Sequence, residues 1–156
     1  MRLQRTFIWI AGALFAVGFV APQAVAGTGV PGCDTAGVPT QIEVNALRAG
    51  SKRVNAGPNQ TTNVTSKARI LKGTAPTGTT MATTLVIEAS DDAGVMSTQS
   101  SGPITLGVGK GGKGDKLTLA VERCFGGFIT FTATFTGTDD DGDICEGTRD
   151  LRKECN

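Results

Sequence analysis

Apolar and polar residues alternate in short runs along most of this chain, and Gly, Pro, Asn and Asp break the runs. A period of two is the mark of a half-buried β-strand, and the three-to-four spacing of an amphipathic helix is hard to find after residue 27. Gln41 to Ala49 alternates through Ile42, Val44 and Ala46 and predicts a strand. Thr61 to Lys72 predicts one strand or two short ones around Val64, Ala68 and Ile70, and Thr83 to Ala89 and Ile104 to Val108 predict a strand each. Lys116 to Cys124 turns Leu117, Leu119 and Val121 inward. The clearest strand is Phe128 to Gly137: Ile129, Phe131, Ala133 and Phe135 form one face and Thr130, Thr132, Thr134 and Thr136 the other. Ile144 to Glu154 follows, with Leu151 inward among charged neighbours.

The segments between these runs read as connections. Gly27 to Thr40 is a polar lead, Gly50 to Gln60 a turn region, Gly73 to Thr80 a loop and Asp91 to Gly102 a polar loop. Gly109 to Gly114 is a Gly/Lys turn, and Thr138 to Asp143 is a tight acidic turn. About seven short strands with such punctuation predict an all-β fold, an antiparallel two-sheet sandwich.

Met1 to Ala26 has the parts of a secretory signal: Arg2 and Arg5, an apolar stretch from Phe7 to Val20, and Ala24-Val25-Ala26 before Gly27. The apolar run is short for a membrane span, and Pro22 and Gln23 end it. The expected organisation is a cleaved signal over 1–26, a lead over 27–40 and one β-sandwich domain over 41–156, with no transmembrane segment after cleavage. The expected location is extracellular, cell-surface or periplasmic. Val30-Pro31-Gly32-Cys33 loosely resembles a lipidation motif, but it stands far from the apolar stretch.

Export changes the reading of the cysteines. Cys33, Cys124, Cys145 and Cys155 form no CxxC pair, and in an exported domain four cysteines imply two disulfides with three possible connectivities. If the last three strands form a meander, Cys124 and Cys155 meet at one edge of the sheet and Cys145 starts its strand at the other. That geometry pairs Cys124–Cys155 and Cys33–Cys145.

Composition then removes whole classes of function. The chain has no His, which excludes His-based triads and His metal sites. Its only Trp is Trp9 in the signal, and it has no Tyr, so aromatic platforms for sugar are missing. Without Arg2 and Arg5, thirteen cations stand against fourteen acids, which gives no electrostatic case for nucleic acid. No nucleophile–base set is visible, and the chain is not expected to be an enzyme.

Two local patterns carry candidate chemistry. Asp139-Asp140-Asp141-Gly142-Asp143 places Asp139, Asp141 and Asp143 at alternating positions, as in the first half of an EF-hand loop, and calcium is the cofactor such carboxylates would hold. Ile144 stands where that loop needs Gly, so the competing reading is an acidic Asp-Gly hairpin turn. Gly107 to Gly114 contains GxGxxG and ends Gly112-Lys113-Gly114. A phosphate cradle needs a helix after the glycines, and Lys116 to Val121 reads as a strand instead. The remaining use of this turn is docking an anionic surface through Lys110, Lys113 and Lys116.

The number and spacing of strands over 41–156 resembles immunoglobulin-like β-sandwich domains of bacterial surface and secreted proteins. Asn55-Ala56-Gly57-Pro58-Asn59-Gln60 also resembles the opening of polycystic-kidney-disease-type sandwich domains, without their core Trp. The resemblance implies a spacer, an adhesion module or an appendage subunit. The expected function is a structural or interaction protein of an extracellular assembly, with itself or another envelope or surface protein as partner. The alternative is a monomeric binding module that uses the acidic turn for calcium or the loops for a protein or glycan.

Overall fold

The computed structural model describes residues 33–156; the expected signal sequence, its cleavage point and the first residues of the lead lie outside the described residues. The lead ends in a small hairpin, β1 (Asp34–Thr35) and β2 (Val38–Pro39). Then come β3 (Ile42–Ala49), β4 (Arg53–Val54), β5 (Thr61–Ile70), β6 (Thr80–Asp91) and β7 (Gly94–Gly107). The chain finishes with β8 (Gly112–Lys113), β9 (Leu117–Ala120), a single 3-10 turn at Phe125–Gly127, β10 (Phe128–Thr138) and β11 (Ile144–Cys155). Seven of these strands are four residues or longer, one for each predicted run.

Two sheets share one core. The larger has the order β4-β11-β10-β6-β7, antiparallel throughout except where the short β4 runs parallel to the end of β11. The smaller has β3, β5 and β8 in order, with β9 also paired to β5. The inward faces are those the alternation marks: Ile129, Phe131, Ala133 and Phe135 of β10 are fully buried, and so are Leu119 and Val121. From the smaller sheet, Val64, Ala68 and Ile70 meet them. Gly147 of β11 packs tightly against the backbone of Ile42 in β3; a Cβ there would lie 2.9 Å from the Ile42 carbonyl carbon.

Three expectations change. Asp91 to Gly102 is not a loop: a tight turn at Asp91–Gly94 leads straight into β7, and the predicted strand at 104–108 is the end of that longer strand. β7 is a sheet edge with exposed residues at Thr98, Gln99 and Ser100, so nothing required an apolar alternation there. The last three long strands also form no meander. β10 and β11 are a hairpin in the larger sheet, but β9 pairs β5 in the smaller one. Residues 121–127 cross between the sheets, and Cys124 sits on that crossing. Finally, the ladder of the 116–124 run covers only Leu117–Ala120, although Val121 still exchanges backbone bonds with Gln60 and Gly57.

Both disulfides join the pairs expected: Cys33–Cys145, with Cα atoms 5.0 Å apart, and Cys124–Cys155, with Cα atoms 6.5 Å apart. Their partners lie at opposite ends of the β10–β11 hairpin, since β11 starts beside one bridge and ends in the other.

Candidate functional site

The acidic turn is built around one carboxylate. The turn joins β10 to β11, and the Asp139 amide donates to the Asp143 carbonyl (3.0 Å) while the Gly142 amide donates to the Asp139 carbonyl (3.2 Å). Asp139 Oδ1 accepts from the amides of Asp143 (2.8 Å) and Asp141 (3.1 Å). Its Oδ2 accepts from the amide of Asp34, 105 residues away, at 2.8 Å. Asp141 and Asp143 therefore reach Asp139 through their backbones, not their carboxylates. That is the hairpin arrangement, extended by a bond that fastens the β1–β2 hairpin to the turn.

The Cys33–Cys145 bridge lies directly beside this carboxylate: an Asp139 oxygen and the two sulfurs are within 4.8 Å of one another. Both sulfurs are spent in the disulfide, so no thiolate is available to a metal. Next to them a surface cavity of about 220 Å³ is lined by Asp139, Asp140, Met81 and the threonines Thr35, Thr79, Thr80 and Thr138. Of the three residues singled out as calcium ligands, Asp139 lines this cavity and Asp141 and Asp143 do not.

A second acidic residue proves more consequential than its sequence context suggests. Asp91, at the β6–β7 turn, has no exposed side-chain surface. It accepts from the Ala93 amide (2.9 Å), from the Phe125 amide (3.0 Å) and from Arg123 Nε (3.2 Å). The β6–β7 turn is thus latched to the crossing segment next to Cys124. A pair of adjacent aspartates gave no sign of this, because the partners Arg123 and Phe125 arrive from another strand connection. The sequence signal there is only that of a polar loop beginning at Asp91.

Both carboxylates are held below the ordinary value of 3.8. For Asp139 the largest cause is the Asp34 amide bond; burial opposes it, and the amides of Asp143, Asp141 and Gly142 add to it. For Asp91 burial pushes upward, but the amides of Phe125 and Ala93 and the Arg123 guanidinium together outweigh it. A group with a depressed folded pKa contributes its stability above the unfolded value and loses it as pH falls through the folded one. Carbon-13 carboxyl titration is expected to place both midpoints below 3.8, with the N-terminal hairpin staying docked until the pH falls through that of Asp139. At neutral pH, Asp139→Asn sets an NH₂ group or a half-used oxygen against three amides, and hydrogen exchange at the Asp34 amide accelerates roughly tenfold. Unchanged exchange there would remove Asp139 from this role.

The glycine-rich segment forms no phosphate loop, because the strand β9 and not a helix follows it. Its glycines serve packing. A Cβ on Gly112 would lie 2.7 Å from both the Leu106 side chain and the Thr105 carbonyl, so only Gly lets β8 approach β7 this closely. Lys113 of β8 is thereby set against β5, opposite Lys67.

These features define an all-β protein of two main, largely antiparallel sheets and a small hairpin, closed by two disulfides and latched at both ends of the β10–β11 hairpin. The chain matches no known protein family, and no curated protein is similar to it. No helix among the described residues is long and apolar enough to cross a membrane.

Proposed function

We propose that this is an exported, immunoglobulin-like structural subunit that assembles with copies of itself, or with another envelope or surface protein, by strand addition at β7. One observation carries this reading: β7 ends the larger sheet, and no charged residue stands between Asp92 and Lys110. Natural edge strands are blunted by charges, Pro, bulges, shortness or a covering element; in β7 the two register breaks and Pro103 lie outside Thr98 to Ser101. β7 is fourteen residues long and pairs with β6 on one side only. Ser97 Oγ bonds the Ala120 carbonyl at one end, and Pro103, which lacks an N–H, interrupts the other. Between them Thr98 to Ser101 offers backbone donors and acceptors to an incoming strand. The two disulfides suit an oxidising compartment outside the cytoplasm and support the export half of the reading.

The test is light scattering behind size exclusion on the purified, oxidised protein, with calcium and with chelator. Species larger than a monomer are expected, and they revert to monomer in Thr98→Lys/Ser100→Lys, which sets like charges across the new strand pair. If chelator also dissolves them, the Asp139–Asp143 turn contributes a calcium-dependent contact to the same assembly. A monomer under every condition overturns the self-assembling reading and leaves the alternative of a monomeric binding module.

A further inference from the structure

The outer face of the smaller sheet carries three cations, Arg48, Lys67 and Lys113, that form no ion pair among the described residues. Lys67 of β5 and Lys113 of β8 are directly opposed in their antiparallel ladder. On the other side of β5, Ala46 of β3 faces Lys67 and Arg48 faces Thr65, so Arg48 is the diagonal neighbour of Lys67. These five residues line one surface cavity of about 210 Å³. Arg69, further along the same face of β5, is paired with Glu43 at 2.6 Å. Arg48, Lys67 and Lys113 take part in none of the three ion pairs found among the described residues.

This arrangement runs against sheet stability. Like charges directly opposite one another destabilise an antiparallel pair. The β5–β8 ladder has only two residue pairs, and one of them is Lys67–Lys113. The fold nevertheless goes to some length to set Lys113 there, through the close approach that only Gly112 permits. The register break of β3 between Val44 and Ala46 sets a small side chain at the floor, leaving the space between the three cations open.

We infer that this cavity binds a single tetrahedral oxyanion group, phosphate or sulfate, carried by a soluble molecule. Such a group presents several oxygens to donors converging from different directions, and here they converge from three strands. A bound dianion turns the Lys67–Lys113 repulsion into two charge-assisted bonds, with the Arg48 guanidinium supplying a third. The face favours a discrete anion over a lipid surface because it carries no apolar anchor among the described residues: the exposed large hydrophobics among them are Val38, Val95, Phe125 and Ile144, all on other elements. The site differs from the lysine cluster expected of the glycine-rich turn, since Lys113 lines the cavity and Lys110 and Lys116 do not.

The experiment follows thermal unfolding and amide NMR of the oxidised protein during titration with inorganic phosphate and, separately, sulfate. The expected result is a rise in melting temperature with anion concentration, with saturating shifts at Ala46, Lys67 and Lys113. Arg48→Gln weakens binding roughly tenfold. Lys67→Gln/Lys113→Gln abolishes it while leaving the anion-free melting temperature unchanged or higher, which a merely structural pair would not do. Lys110→Gln binds as the parent does. The inference is overturned by no response to either anion, by an unchanged response in the double variant, by loss in Lys110→Gln, or by binding only to vesicles of phosphatidylglycerol and phosphatidylcholine.

Discussion

Replacing Cys33 and Cys145 by alanine lowers the unfolding free energy by about 4–5 kcal/mol on the loop-entropy account of a cross-link. The two residues are 112 apart, so the bridge closes nearly the whole described chain into one loop. Without it the unfolded state regains the freedom of that loop, and the folded state loses the covalent hold on the hairpin that Asp139 also grips. Alanine is the proper replacement, because Cys33 and Cys145 are both buried and serine would add a buried hydroxyl. The Cys124–Cys155 bridge spans 31 residues, and its removal is expected to cost about 3.5–4 kcal/mol on the same account. Urea unfolding without reductant measures both. A larger loss at the Cys124–Cys155 corner would show that contacts there, such as the Asp91 latch, outweigh chain entropy. Either loss is a large share of a domain's total stability of about 5–15 kcal/mol.

Phe131→Ala is expected to destabilise by about 3–5 kcal/mol, the range for emptying a buried aromatic site. Phe131 and Phe135 are the largest side chains that are fully buried. Phe131 lies in β10, which has a neighbour on each side, and the residues beside it in register are Ala89 and Leu151. Ala89 is too small to fill the space left behind, and Leu151 sits on β11, which the two disulfides hold in place. The cavity therefore persists instead of collapsing. Urea unfolding of the oxidised variant checks the value, and a loss below about 1.5 kcal/mol, the range of tolerated swaps, would mean that the sheets close over the gap.

The strand at Phe128–Gly137 was legible because its alternation is uninterrupted and one face is entirely apolar. β7 was not legible as a strand, since an exposed edge needs neither alternation nor apolar residues, and Ser97 to Ser101 reads as a loop by composition. The cysteine pairing came out as expected although the meander behind it does not exist. The crossing segment 121–127 brings Cys124 to the end of the molecule where β11 finishes, so Cys155 meets it by a different route. The acidic turn was visible as a turn. That Asp139 spends both oxygens on amides was not, because one donor comes from Asp34 at the far end of the chain.

By itself, the sequence determined the fold class, most strand positions and which face of each strand is buried. All of these follow from a period of two, which is a local property of the chain. Tertiary structure alone decided which strand ends the sheet, what Asp91 and Asp139 grip, and that Lys67 and Lys113 oppose each other beside Arg48. Those outcomes depend on strand order and register, which bring together residues from distant parts of the chain. Neighbouring residues carry no record of them.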